Sequence, residues 1–136
     1  MSRFIVDASV AIKWVVREPG TDAALRLLEH PLAAPDLLTV ECANILWKKA
    51  RRNELTAPEA HMAARILAKV NITLAPMRDL LAPALELAQA LDHPAYDCMY
   101  IALATSQQCD LVTADLTLVR KAAQCGMGAR VIPLQA

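Results

Sequence analysis

Arg3-Phe4-Ile5-Val6-Asp7-Ala8-Ser9 decides the fold. Three apolar residues stand in a row without alternation, and a carboxylate closes the run. A strand whose two faces are both covered reads this way, because a parallel sheet buries both sides under helices. A second stretch of the same build, Leu111-Val112-Thr113-Ala114-Asp115, lies near the other end of the chain. Each run ends on an acid, and each acid is followed by a helical pattern.

Between and around these runs, helices and strands alternate. Ser9 to Val16 reads as a short helical segment, broken by Glu18-Pro19-Gly20. Thr21 is expected to cap a helix to about Glu29, and Leu32-Ala33-Ala34-Pro35 to form a short strand. Asp36 is expected to cap a longer helix to about Arg52, closed by Asn53. Thr56-Ala57-Pro58-Glu59 carries the reciprocal N-terminal capping pattern, with proline in the first turn. Its helix runs to about Val70, and Asn71-Ile72-Thr73-Leu74-Ala75 reads as a strand. A helix from about Asp79 to Leu91, delayed by Pro83, and another from Pro94 to Gln108 follow. Leu116 to Cys125 is a last helix, stopped by Gly126, and Arg130-Val131-Ile132 a last strand. Such alternation predicts an α/β chain with a parallel sheet covered on both faces, within one domain spanning residues 1–136.

Composition narrows the function. The chain is 56% hydrophobic with three glycines, so a core forms readily and no glycine-rich phosphate loop exists. Fourteen basic residues balance fourteen acidic ones, so any nucleic-acid role must come from local patches. Such patches trail three of the acids: Lys13 and Arg17, then Lys48, Lys49, Arg51 and Arg52, then Arg120 and Lys121. Solvated helix ends with dipole-favoured cations are the simpler account of them. Cys42, Cys98, Cys109 and Cys125 form no C-x-x-C pair and are expected to be buried, reduced thiols, which argues for a soluble cytoplasmic protein. No apolar run reaches about 18 residues, and there is no secretory leader pattern.

In parallel sheets, sites form beyond the carboxyl ends of the strands. Asp7 and Asp115 fall there. Glu41 sits mid-helix with Asn44 and Lys48 on its face, and Asp97 in the first turn of its helix. Each alone has an ordinary explanation as a cap, a solvated face or a dipole partner. Four carboxylates converging on one edge would repel one another, and a hard divalent cation, Mg²⁺ above all, would hold them ionised. An activated water could then attack a phosphodiester. The hydroxyls of Ser9 and Thr113, each two residues from an acid, suit hydrogen bonds to those carboxylates, with local turn bonds the alternative. His30, His61 and His93 are scattered, and none is expected to act as a base.

Taken together, Phe4-Ile5-Val6-Asp7-Ala8-Ser9, the segment Ala34 to Asn44 around Glu41, Tyr96-Asp97-Cys98-Met99-Tyr100-Ile101-Ala102-Leu103-Ala104 and Leu111-Val112-Thr113-Ala114-Asp115 resemble the PIN-domain ribonucleases, specifically the VapC toxins of prokaryotic toxin–antitoxin pairs. The resemblance covers nearly the whole chain. It implies a three-layer α/β/α domain with a parallel sheet of about five strands. It implies Mg²⁺- or Mn²⁺-dependent endonucleolytic cleavage of RNA. Asp7, Glu41, Asp97 and Asp115 match the family's acidic positions, and Ser9, Thr113 and Asn44 its common polar neighbours. A homodimer and a cognate VapB antitoxin are implied as well. An acidic pocket is a natural receptor for a guanidinium, so the antitoxin is expected to insert an Arg near Asp7 and Asp97. Trp14 and Trp47 are expected in the core, the alternative being an apolar surface for that partner.

A different reading is a PIN-like module that binds RNA or protein without cutting, which the full quartet argues against. A haloacid-dehalogenase-type phosphatase would want Asp-x-Asp after the first strand, where this chain has Asp7-Ala8-Ser9.

Overall fold

The computed structural model describes residues 3–126 and 130–135. Five parallel strands form one sheet: β1 (Phe4–Val6), β2 (Leu32–Pro35), β3 (Thr73–Ala75), β4 (Asp110–Thr113) and β5 (Val131–Pro133), in the order β3-β2-β1-β4-β5. β1 is central, with Phe4 opposite Leu32 on one side and Asp110 on the other, and Val6 opposite Val112. The chain winds outward from β1 in one direction through β2 and β3, then in the other through β4 and β5. The order therefore reverses between β1 and β4, and the crevice beyond their carboxyl ends is where such sheets bind ligands.

Among the described residues, seven α-helices connect the strands: α1 (Ala8–Ala11), α2 (Thr21–Leu27), α3 (Leu37–Arg51), α4 (Ala57–Leu67), α5 (Leu81–Leu91), α6 (Ala95–Gln107) and α7 (Leu116–Gln124). The period-2 geometry of a strand sends neighbours to opposite faces. Ile5 and Leu111 accordingly pack with Leu38, Cys42, Tyr100, Ile101 and Leu103, beneath α3 and α6. Val6 and Val112 pack with Val10 and Ala24, beneath α1 and α2. The resulting three layers match the expected α/β/α arrangement, with five strands.

Local chemistry explains most boundaries. Thr56 accepts from the Glu59 N–H while Glu59 accepts from the Thr56 N–H, so α4 opens on the predicted reciprocal cap. Asn53 and Gly126 take positive φ just past α3 and α7, the left-handed step that closes a helix. Elsewhere the caps differ from expectation. Gly20, at φ 92°, occupies the cap position of α2, and the Thr21 hydroxyl instead accepts from the Glu18 N–H and donates to the Val16 carbonyl. Asp36 begins α3 without a bond to a helix N–H. The segment after Asp7 tightens from α1 into a 3-10 turn over Ile12–Trp14. Trp47, expected inside, is 54% exposed with Arg51 stacked 5.4 Å from its ring, while Trp14 is half-buried and donates to the Ala24 carbonyl. Cys42 and Cys98 are buried thiols, Cys109 is half-buried, and Cys125 is exposed, against expectation. No helix among the described residues is long and apolar enough to cross a membrane.

Candidate active site

Asp7 follows β1 and caps α1, with its carboxylate at the reversal point of the sheet and only 8% exposed. Oδ1 accepts from the Ser9 N–H at 3.1 Å and from the Ser9 hydroxyl at 2.5 Å. Oδ2 accepts from the Thr113 hydroxyl, at the end of β4, at 2.5 Å. With the Ser9 and Thr113 hydroxyls 3.3 Å apart, these three residues at two neighbouring strand ends close into one ring. Thr113 Oγ1 also accepts from the Asp115 N–H, and Ser9 Oγ from the Ala114 N–H. Burial nonetheless dominates: it pushes the Asp7 carboxyl from its ordinary 3.8 up to about 6, the hydrogen bonds pull it back in part, and the nearby charge of Asp97 adds to the rise.

Glu41 enters from α3. It is half-buried, and its Oε1 accepts from the Tyr100 hydroxyl on α6 at 2.5 Å. Desolvation raises its pKa, the Tyr100 hydrogen bond lowers it, and the charges of Asp97 and Asp7 raise it again. Tyr100 itself is buried, and both burial and the Glu41 carboxylate hold its phenol in the protonated form. Asp97, in the first turn of α6, pairs its Oδ2 with Nε2 of His93 at 2.7 Å. Asp115 caps α7: its Oδ1 accepts from the N–H groups of Thr117 and Leu118. One ligand atom each from His93, Asp97 and Asp115 lies within 4.8 Å of the others.

All four predicted acids therefore meet at one edge: Asp7 and Glu41 feel the charge of Asp97, and Asp97 stands beside Asp115. Ser9 makes the bond to Asp7 that its spacing suggested, whereas Thr113 donates to the distant Asp7 and meets its neighbour Asp115 only through the local backbone turn bond. Asn44 lies one turn along α3 from Glu41, on an exposed face. Sequence reasoning passed over Tyr100 and His93. Tyr100 reads as one more apolar residue of a buried helix, yet it falls four residues after Tyr96 and three after Asp97, on the face that meets α3. His93 stands four residues before Asp97, the spacing at which helical neighbours meet, and that was the available signal. The basic patches are partly occupied. Lys13 and Lys49 both pair with Glu18, and Arg17 with Asp22. Lys48, Arg51, Arg52 and Arg120 are exposed.

The PIN domain family profile matches residues 4–124, which spans every element from β1 to α7 and all four acids. The chain belongs to the PIN-domain family. Within it, the Ribonuclease VapC9 of Mycobacterium tuberculosis (strain ATCC 25618 / H37Rv) is 34% identical over 114 residues, covering 84% of this chain and 87% of its own. Among solved structures, PAE2754 from Pyrobaculum aerophilum superposes on this PIN domain with a TM-score of 0.74 at 26% identity, covering 98% of this chain and 84% of that one. VapBC2 from Rickettsia felis, solved bound to a DNA fragment from its promoter, superposes with a TM-score of 0.69 at 10% identity, over 98% and 99% of the two chains, a likeness of fold.

Proposed function

We propose that this PIN domain is the toxin of a VapBC-type toxin–antitoxin pair, an endoribonuclease that hydrolyses RNA phosphodiesters with a divalent cation. The observation that carries the reading is Asp7. A carboxylate pushed up to about 6 by burial, facing a second acid, wants a cation more than a proton at neutral pH. The donor set fits a hard cation: Asp7, Asp97, Asp115 and Glu41 offer oxygens, and Mg²⁺ and Mn²⁺ favour oxygen. When bound, such an ion supplies Lewis-acid neutralisation of charge at a phosphodiester.

The chain's own residues prepare that chemistry. Ser9 and Thr113 fix both oxygens of Asp7, which resists rotation as the pocket fills. The N-terminal N–H groups of α7 hold Asp115 by one oxygen and leave the other free of them. Tyr100, on α6, likewise holds Glu41 of α3 by one oxygen. Lys48, Arg51, Arg52 and Arg120, exposed on α3 and α7, give an RNA backbone local positive charge that the net charge of zero does not supply. The name of VapC9 and the paired name of VapBC2 support a ribonuclease that works beside a VapB antitoxin. The acidic pocket suits an inserted Arg from that partner. The protein acts as a cytoplasmic homodimer in this reading, with its four free thiols kept reduced.

Pure, antitoxin-free protein incubated with total RNA tests this. Cleavage is expected with Mg²⁺ or Mn²⁺, and none with EDTA or with Asp97→Asn. Undiminished cleavage by Asp97→Asn, or in EDTA, refutes the metal site. No cleavage under any condition favours a binding module without nuclease activity.

A further inference from the structure

Asp7, Glu41 and Asp115 are each held by hydroxyls or backbone N–H groups. Asp97 is held by His93, whose side chain is only 8% exposed. The contact runs from Nε2 to Asp97 Oδ2 at 2.7 Å, and the other ring nitrogen, Nδ1, lies 3.4 Å from Lys121 Nζ on α7. Lys121 is itself anchored, donating to the Asp92 carbonyl at 2.7 Å.

An ammonium has protons to give and no lone pair to receive with. Nδ1, facing Lys121, is therefore the acceptor and carries no proton. The one proton of the neutral ring sits on Nε2 and is donated to Asp97. This settles what His93 does beside a cation. By distance alone it could be a ligand, since its ligand atom lies with those of Asp97 and Asp115. A ligating imidazole nitrogen must be bare. Baring Nε2 would move the proton to Nδ1 and point it at the Lys121 ammonium, donor against donor.

We propose that His93 is a positioning residue: with its tautomer set by Lys121, it holds Oδ2 of Asp97 and so fixes the orientation of the carboxylate that stands beside Asp115. The importance of that orientation rests on the divalent-cation reading above; the hydrogen bond and the tautomer do not. Lys121 thereby ties the start of α6 to α7, the two helices whose first turns carry Asp97 and Asp115. Partners that orient a metal-binding carboxylate typically account for about 10–100-fold in metal affinity.

The test uses the full chain and Mn²⁺ as probe. Calorimetric titration is expected to show His93→Ala binding Mn²⁺ about 10–100-fold more weakly than the wild type. His93→Gln, whose amide N–H replaces the one on Nε2, is expected to recover most of that loss. Pulsed EPR of the Mn²⁺-bound wild type is expected to show no coupling to a ligated imidazole nitrogen. Nitrogen-15 NMR of the metal-free protein is expected to find the ring proton on Nε2. An imidazole coupling to Mn²⁺ overturns the proposal by making His93 a ligand. So does His93→Gln binding as weakly as His93→Ala while both unfold at the wild-type temperature, and so does a proton found on Nδ1. A wild type that binds no Mn²⁺ refutes the cation reading instead, and the NMR tautomer still decides the bond to Asp97.

Discussion

Asp7→Asn is expected to stabilise the metal-free protein at neutral pH and not at pH 4. The wild-type carboxyl ionises near 3.8 in the unfolded chain and at about 6 in the folded one. Below 3.8 it is protonated in both states, and burial of the group costs no charge. As pH rises, the unfolded chain ionises first, so stability drains away through the interval from 3.8 to 6, and above 6 the full cost is in place. At about 1.4 kcal/mol per tenfold in ionisation, that cost is about 3 kcal/mol at pH 7.5. Asparagine keeps the shape and an acceptor for the Ser9 N–H but aims an NH₂ at a hydroxyl, a loss of about 1 kcal/mol at any pH. The variant should therefore gain about 2 kcal/mol at pH 7.5 and lose about 1 kcal/mol at pH 4. Urea unfolding in EDTA at both pH values measures the difference, which is the decisive quantity because the amide's own cost cancels from it. A change of less than about 1 kcal/mol between the two pH values, or a gain at pH 4, refutes the claim that burial burdens Asp7 with charge.

Three further outcomes follow from the same geometry. Because a cation must compete with the proton on Asp7, Mn²⁺ affinity should fall about tenfold per pH unit below about 6, and equal affinities at pH 7 and pH 5 would remove Asp7 from the cation site. Thr113→Val deletes the donor to Asp7 and the acceptor for the Asp115 N–H in a fully buried position, so chemical denaturation at pH 7.5 should show a loss of about 2 to 4 kcal/mol, with the Asp7 pKa rising further by NMR titration. Thr56→Ala breaks the cap of α4, far from the acids, and should cost about 1 kcal/mol in thermal unfolding while leaving cleavage per folded molecule unchanged.

The parallel sheet was readable because β1 and β4 are buried on both faces and so show as unbroken apolar runs ending in acids. The four carboxylates were readable for a related reason: each stands out against apolar neighbours at an element's end or, for Glu41, on a helix with one buried face. What stayed hidden depends on partners distant in sequence. Nothing local marks the Tyr100 hydroxyl as a donor to Glu41, 59 residues away, or singles out Lys121 as the neighbour of His93, 28 residues away. Trp47 was misplaced because an aromatic in an apolar helix pattern reads as core, whereas Arg51, one turn on, covers its ring at the surface. Thr21 was misassigned as a cap because the neighbouring Gly20 takes that position in the left-handed region, and Asp36, rightly placed at the cap of α3, has helical backbone and makes no side-chain bond to a helix N–H.

The bond between Thr113 and Asp7 joins residues 106 positions apart. On the ribosome, Asp7, Glu41 and Asp97 are all made before the strand that completes the ring around Asp7. Until β4 leaves the exit tunnel and docks beside β1, Asp7 lacks its second anchor and Asp115 cannot stand beside Asp97. A nascent chain that stops short of β4 therefore holds three of the four acids without the pocket that joins them, and the site assembles only once β4 and α7 have docked.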